Sequence, residues 1–396
     1  MHTDPVNQAS GPRKLSVLQI ITHLELGGAE EVAISLAEAL HEEVDFTFFI
    51  VQGGDRSEIG RDFYLRLQAL RIPVYLGTVV PMKMGGAMVS GFKLNRLIRR
   101  LRPDIVHLHT EIPETTFACA TLFGLPDQLE VVRTIHNTSL WPAWAQIGAW
   151  AERRLAGARV AAVSRGGLDG LKRFQDAYGL PRTDETRAQI IYAGVSKDTG
   201  PRPTPPAANA SGPVRVLFAG RLELQKGVDL MPAIVERASR LTVRPVAFHI
   251  AGSGTYAPQL REWAERQHTG WDVTVGPPIP NLAGYLHEGR HDLVFMPSRF
   301  EGLSLVAVES LLAGVPLVTT RIDGLKEIFQ SDYPLLAEPE DVDGLADVLA
   351  QAINDGDAAL HAAQVHRASV MDRFSQTGMG RHYLQLYRRA VVNPAT

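Results

Sequence analysis

The sequence predicts an α/β protein built from two doubly wound parallel-sheet domains that face each other across a deep cleft. Short β-branched runs alternate with amphipathic helical patterns from one end to the other, the rhythm of parallel strands covered by helices on both faces. That rhythm breaks once, at residues 200–213, where five prolines and no apolar side chain larger than alanine give a linker composition. Polar residues and glycines recur just past the strand ends in both halves, and in open parallel sheets the functional crevice lies there.

Taken in order, polar residues 1–14 read as a disordered tail and residues 15–198 as the first domain. Its expected strands are Leu15–Thr22, Asp45–Gln52, Val74–Gly77, Asp104–Thr110, Glu130–His136, Arg159–Ser164 and Gln189–Gly194. Residues 199–213 join it to a second domain, 214–375, with strands expected at Val214–Gly220, Val246–Gly252, Asp272–Gly276, Asp292–Pro297, Pro316–Thr319 and Pro334–Ala337. Helices fill the gaps. The last segment carries Tyr383, Leu386, Tyr387 and Ala390 on one helical stripe, which suits a closing helix of the second domain and a return to the first equally well.

Composition narrows the function. With 396 residues the chain can hold two or three separate cores. Forty Lys and Arg against 43 Asp and Glu leave a net charge of −3, so the chain lacks the basic excess that holds a protein on nucleic acid. Cys119 is the single cysteine, which excludes internal disulfides and cysteine-cluster metal sites and suits a reducing, cytoplasmic setting. Residues 1–14 are too polar for a secretory signal, and the apolar stretch Gly302–Thr320 is interrupted by Glu309 and Pro316, so it reads as a helix and a buried strand.

The residues past the strand ends point to chemistry. After the first strand comes Gly27-Gly28-Ala29-Glu30, after the fourth His109 and Thr110, after the fifth His136 and Asn137. In the second domain the matching ends carry Gly220, Arg221 and Lys226, then Gly252-Ser253-Gly254, then Gly276, then Ser298 through Glu301. A guanidinium directly after a strand and an ammonium five residues on, both beside glycines that let backbone approach a ligand, suit a diphosphate. Ser304 is a candidate N-cap, placing Gly302 and Leu303 at the positive end of a helix whose free amides bind phosphate or sugar oxygens. Glu301 and Glu309 can both face the crevice, where carboxylates suit the hydroxyls of a sugar and a ribose. His136 can bond a sugar hydroxyl or stabilise developing charge as a neutral imidazole, although His136 and His109 each read equally well as satisfied structural histidines. No Asp-X-Asp pair stands at a strand end and no cluster has zinc-ligand spacing, so no metal site is expected.

Glu301-X7-Glu309 within Pro-Ser-X-Phe-Glu-Gly-Leu-Ser-Leu resembles the retaining GT-B glycosyltransferases of family four. Gly-Arg-Leu-X3-Lys-Gly at 220–227, Ala-Gly-Ser-Gly at 251–254, Gly-Gly-Ala-Glu at 27–30, Asp-Ile-Val-His-Leu-His at 104–109 and Ala-Val-Ser at 162–164 carry the same likeness along nearly the whole chain. The resemblance implies a GT-B fold of two Rossmann-like domains, with acceptor held by the first and nucleotide-sugar by the second, and a C-terminal helix, 376–396, that crosses back onto the first. By the same likeness Arg221 and Lys226 neutralise the donor diphosphate, Glu309 binds the ribose, Glu301 with nearby amides holds the donor sugar and His136 meets that sugar from the opposite domain. Gly28 lets the first loop approach the phosphates, and Gly220, Gly252, Gly254, Gly302, Leu303 and Ser304 complete the donor site. The implied co-substrate is a nucleotide-sugar, a UDP-sugar favoured, with no cofactor and no metal; the implied acceptor is a sugar, a polysaccharide or a lipid-linked sugar. Two positions depart from the pattern: Ala193, where asparagine is usual, and Asp323 before Gly324, a change expected to alter the sugar pocket near Glu327.

A nucleotide-sugar epimerase and a non-catalytic nucleotide-sugar-binding protein are the rival readings of the same architecture. Loop 78–91, with Met82, Met84 and Met88, is a candidate acceptor contact. Phe92–Arg102 carries five cations beside Phe92, Leu94, Leu97, Ile98 and Leu101, so it reads as a sheet-covering helix or as a face that meets anionic lipid, with Trp141, Trp144 and Trp150 as possible interfacial anchors.

Overall fold

The computed structural model describes residues 13–25, 27–53, 58–195, 212–329 and 332–392. The expected tail, apart from residues 13 and 14, and most of the expected linker lie outside them. Strands β1 (Leu15–Ile21), β2 (Val44–Gln52), β3 (Val74–Thr78), β4 (Ile105–His109), β5 (Glu130–Ile135), β6 (Arg159–Ala162) and β7 (Ala188–Ile190) form one parallel sheet in the order β3-β2-β1-β4-β5-β6-β7. Strands β8 (Val214–Ala219), β9 (Val246–Ala251), β10 (Asp272–Gly276), β11 (Leu293–Met296), β12 (Leu317–Thr320) and β13 (Leu336–Ala337) form a second, in the order β10-β9-β8-β11-β12-β13. Each strand expected from the sequence is present; most ends are trimmed, while β2 and β7 start and β3 and β12 end one residue beyond the expected bounds and β10 has the bounds expected. The fourth starts one residue late because the Asp104 carboxylate accepts from the Ser16 amide and hydroxyl at 2.8 and 2.9 Å, tying the strand start to β1.

The helices of the first half are α1 (Gly28–Leu40), α2 (Glu58–Ala69), α3 (Gly86–Leu101), α4 (Glu111–Thr121), α5 (Ala145–Arg154) and α6 (Arg165–Ala177). Those that follow are α7 (Met231–Leu241), α8 (Ala257–Arg266), α9 (Leu282–His287), α10 (Leu305–Leu312), α11 (Asp323–Lys326), α12 (Val342–Asn354), α13 (Gly356–Arg373) and α14 (Gln376–Val392). Side-chain alternation along β1 sends Val17 and Ile21 to a core shared with α1 and α14, and Leu18 and Ile20 to a core shared with α3. β1, Leu-Ser-Val-Leu-Gln-Ile-Ile, is buried from Val17 to Ile21 on both faces, with Gln19 as its one polar side chain there. The second sheet has its own core, in which Phe218, Phe248 and Phe295 pack with Ile234, Leu311 and Leu349.

The chain passes from the second core to the first between Phe374 and Met379. There Gln376 donates its amide to Val195 at 3.0 Å and Val195 donates to Phe374 at 2.9 Å, so two crossing segments run side by side. Helix α14 lays Tyr383, Leu386, Tyr387 and Ala390 against the first sheet. Cys119 is buried in α4 with a free thiol.

Candidate active site

In both sheets the strand order reverses beside the first strand, between β1 and β4 and between β8 and β11. Such switch points open a crevice beyond the carboxyl ends of the strands. The two crevices meet in one cavity of about 400 Å³, lined by Gly28, Thr110 and His136 from the first half and by Gly220, Arg221, Lys226 and Glu301 from the second. Glu309, Gly302, Leu303 and Ser304 complete the same wall.

The cationic rim is held by its own turn. Arg221 is exposed and donates through Nη2 to Gln225 Oε1 at 2.7 Å, while Gln225 Nε2 donates to the Phe300 carbonyl at 3.0 Å. Lys226 Nζ donates to Glu301 Oε1 at 2.5 Å, and Ser298 Oγ donates to the same oxygen at 2.9 Å. Adjacency of the β8 and β11 ends makes neighbours of two residues that the sequence separates by 75 positions. Expected from the sequence as a phosphate cation and a sugar carboxylate with separate tasks, Lys226 and Glu301 are an ion pair on a carboxylate whose Oε1 takes both bonds.

Gly302 fixes how the two halves meet. A Cβ there would stand 1.7 Å from the His136 carbonyl oxygen, so backbone from the two domains touches where any other residue would force it apart. Ser304 caps α10 by accepting from the Ala307 amide at 3.4 Å. One turn further, Glu309 is half-buried; burial, reinforced by the neighbouring Glu31 carboxylate, raises its carboxyl to about 8. Opposite, burial lowers the His136 imidazole to about 3, and its Nε2 lies 3.0 Å from His109 Nδ1. Glu30, in the first turn of α1, is buried with its carboxyl raised by desolvation, and it faces His23 at 3.9 Å.

Several expectations are corrected. Gly252 and Gly254 do not line the cavity: a Cβ on either would stand 2.0 Å from the Gly220 carbonyl oxygen or 2.4 Å from that of Leu222, so they serve the packing of one loop on another. Glu327 is not in the sugar pocket; it accepts from the Gly166 amide at 3.1 Å, bridging the halves at the start of α6, and Asp323 pairs with Lys326 at 3.1 Å. Loop 78–91 contributes nothing to the cavity wall. On α3, Lys93 reaches the Gly77 carbonyl, Arg99 donates to Asn95, Phe123 and Gly124, and Arg100 stacks over Tyr75, so three of the five cations are engaged within the fold. Trp141 is 4% exposed beneath Gly148 and Trp150 is half-buried, leaving Trp144 as the exposed member of the three.

Sequence reasoning missed Thr22, His23 and the apolar stretch Ile279, Pro280 and Leu282, all of which line the cavity. Thr22 and His23 follow β1 directly, so the strand-end rule could have found them; the second group sits in a proline-rich segment that reads only as a loop. Thr110 stands at φ +72°, a strained setting for a β-branched residue, and its hydroxyl meets that of Thr22 at 3.1 Å. Among the described residues no group of three or more His, Cys, Asp or Glu side chains is placed to hold a metal ion, and no helix is long and apolar enough to cross a membrane.

Comparison with known proteins agrees with this architecture. Residues 26–199 match the model of Glycosyltransferase Family 4, and residues 205–368 match that of Glycosyl transferases group 1. The chain is 30% identical to a glycogen synthase of Mycobacterium tuberculosis over 328 residues, 78% of this chain and 75% of that one. It is 29% identical to a D-inositol 3-phosphate glycosyltransferase of Xylanimonas cellulosilytica over 231 residues, 54% of each. Among solved structures, Anabaena Alr3699/HepE in complex with UDP-glucose superposes with a TM-score of 0.75 at 18% identity, covering 94% of this chain and 98% of that one. Sucrose-phosphate synthase from Thermosynechococcus elongatus gives 0.76 at 15% identity, covering 96% and 100%. With two facing doubly wound sheets of the GT-B type and matches that together run through both halves, the chain belongs to the family-four, group 1 glycosyltransferases.

Proposed function

We propose that this glycosyltransferase moves a sugar from a nucleotide-diphosphate donor to an acceptor with retention of anomeric configuration, in the synthesis of a cell-surface polysaccharide or glycolipid. The observation that carries the reading is one cavity in which Arg221 and Lys226 stand on one wall while the N-terminus of α1 at Gly28 and the His136 imidazole stand on the other. Arginine, lysine and free helix amides together suit a diphosphate. Glu309 takes the ribose hydroxyls, Glu301 Oε2 takes a donor-sugar hydroxyl, and His136 meets that sugar from the first half. Ile279, Pro280 and Leu282 supply an apolar wall for the base. We favour uridine, in keeping with the neighbour solved with UDP-glucose.

In this reading the bond from the anomeric carbon to the diphosphate breaks while the acceptor oxygen bonds that carbon on the same face. The acceptor proton passes to the departing phosphate oxygen. Charge grows on the phosphate as the bond breaks, so Arg221 and Lys226 stabilise the transition state more than the ground state. No step requires a metal or a resident cofactor. The acceptor is a sugar, a polysaccharide or a lipid-linked sugar met from the cytoplasmic side, with peripheral contact at anionic membrane.

A thermal-shift panel of UDP, GDP and ADP, followed by donor hydrolysis and transfer in EDTA, tests the reading. A nucleotide at 100 times its dissociation constant stabilises by about 2.7 kcal/mol, a clear shift. UDP alone should raise Tm, and turnover should persist with chelator. No shift with any of the three removes the donor assignment, and loss of turnover restored by manganese removes metal independence.

A further inference from the structure

The first sheet carries an unusual stripe beneath α14. Period-2 alternation in β1, β4 and β5 places Gln19, His107, His109 and Thr134 on the face where Val17, Ile105 and Val132 lie, beside Tyr383 and Tyr387 of α14. All six polar side chains are buried, and each finds a partner in the others. His136 Nε2 meets His109 Nδ1 at 3.0 Å, and His109 Nε2 meets Gln19 Oε1 at 2.7 Å. Gln19 Nε2 donates to the Tyr387 hydroxyl at 3.2 Å, and that hydroxyl meets His107 Nδ1 at 2.7 Å. His107 Nε2 meets Thr134 Oγ1 at 2.7 Å, and Thr134 Oγ1 meets the Tyr383 hydroxyl at 2.8 Å. A chain of bonds thus runs from the cavity wall through the sheet core to the C-terminal helix.

Such a chain has one polarity. The Gln19 carbonyl oxygen cannot donate, so His109 gives it the proton on Nε2 and keeps Nδ1 as an acceptor. His136 must then donate from Nε2. Tyr387 accepts from Gln19, which leaves its own proton for His107 Nδ1. Burial holds His107 and His109 well below the ordinary histidine range, so neither is charged near neutrality.

We propose that His109, seated on Gln19 and through it on Tyr387, is a positioning residue that fixes His136 as the Nε2-protonated imidazole, leaving Nδ1 to accept a hydrogen bond from a donor-sugar hydroxyl. The tautomer is a property of the free protein; its use on a sugar rests on the function proposed above. Buried networks of this kind orient a ring that would otherwise sample two tautomers.

Long-range 1H–15N spectra of the full chain labelled in histidine, with His136 assigned from a His136→Asn variant, read the tautomer directly. His136 and His109 should both show a protonated Nε2 and a bare Nδ1. Protonated Nδ1 on the two rings, the opposite polarity, or tautomers in fast exchange on His136, overturns the proposal. Gln19→Leu removes the acceptor behind His109, whereas Gln19→Glu retains one. The Leu variant should lose the fixed tautomer of His136 and about tenfold in kcat, with UDP affinity unchanged, and the Glu variant should recover both; a tenfold rate is about 1.4 kcal/mol, the scale of one hydrogen bond. Tyr387→Phe, which keeps the ring, should act in the same direction. Equal kcat in the Leu and wild-type chains also overturns it. If no nucleotide-sugar is turned over, the proposed function fails while the spectra still decide the tautomer.

Discussion

At the scale of single residues, the two cations of the rim differ in what holds them, and that difference is measurable. Arg221 is exposed and among the described residues is bonded through Gln225 alone, so Arg221→Ala should leave Tm nearly unchanged while losing a charge-assisted contact of roughly 1.5–3 kcal/mol, at least tenfold in turnover. Lys226 is partly buried against the Glu301 carboxylate, so Lys226→Ala strands a buried charge and should lower Tm as well as turnover. Adding Glu301→Gln should restore Tm but not turnover; melting curves and steady-state rates of the three variants check this. Glu309 gives a pH signature. Its carboxyl rises from 4.5 to about 8 on folding, so the native chain holds a proton that the unfolded chain releases between those values. The linked stability is full in acid and is lost as pH rises through about 8. Glu309→Gln cannot titrate, so its Tm relative to wild type should climb steadily from about pH 5 to about pH 9; two parallel curves would show an unshifted carboxyl.

At the scale of elements, α14 and α3 make opposite use of an apolar face. Leu386 of α14 is buried in the core of the first half, although it follows the whole second half in the chain. Leu386→Ala should cost about 2–5 kcal/mol in urea unfolding, the range for truncating a core leucine, and a change under 1 kcal/mol would show that α14 docks only loosely. Helix α3 buries Leu94, Leu97 and Ile98, while Met88 and Phe92 stay 44% and 46% exposed. With three of its cations engaged within the fold, the ones left to meet lipid are Arg96 and Arg102, at about 1 kcal/mol each near an anionic surface. Co-sedimentation should therefore require anionic vesicles at low salt and be lost in a Met88→Ser, Phe92→Ser, Arg96→Gln variant. Equal binding to neutral vesicles, or none to either, removes the membrane contact.

At the scale of the molecule, two sheets of the same winding face one another so that their switch points share one cavity. The halves are joined by backbone contact at Gly302 and His136, by the Glu327 bond to α6, and by the paired crossings at Val195 and Ser375. Side chains that line the cavity from different halves meet only if this closure is kept. Glycines at the contact therefore matter as much to the cavity as the charges that line it.

The sequence by itself determined the fold class, because short β-branched runs and helical stripes are set by local backbone geometry and survive any tertiary arrangement. It also located both rims, since topology places the crevice at strand ends and the polar residues there could be read in order. Only the tertiary structure decided which of those residues touch. The Lys226–Glu301 pair, the bonds of Arg99 to Phe123 and Gly124, and the glycines at 252 and 254 that pack loops are contacts between segments far apart in the chain. The bonded stripe from His136 to Tyr383 depends on strand register as well as on α14 crossing back, and a strand's alternation gives the face of each residue without saying what helix will cover it.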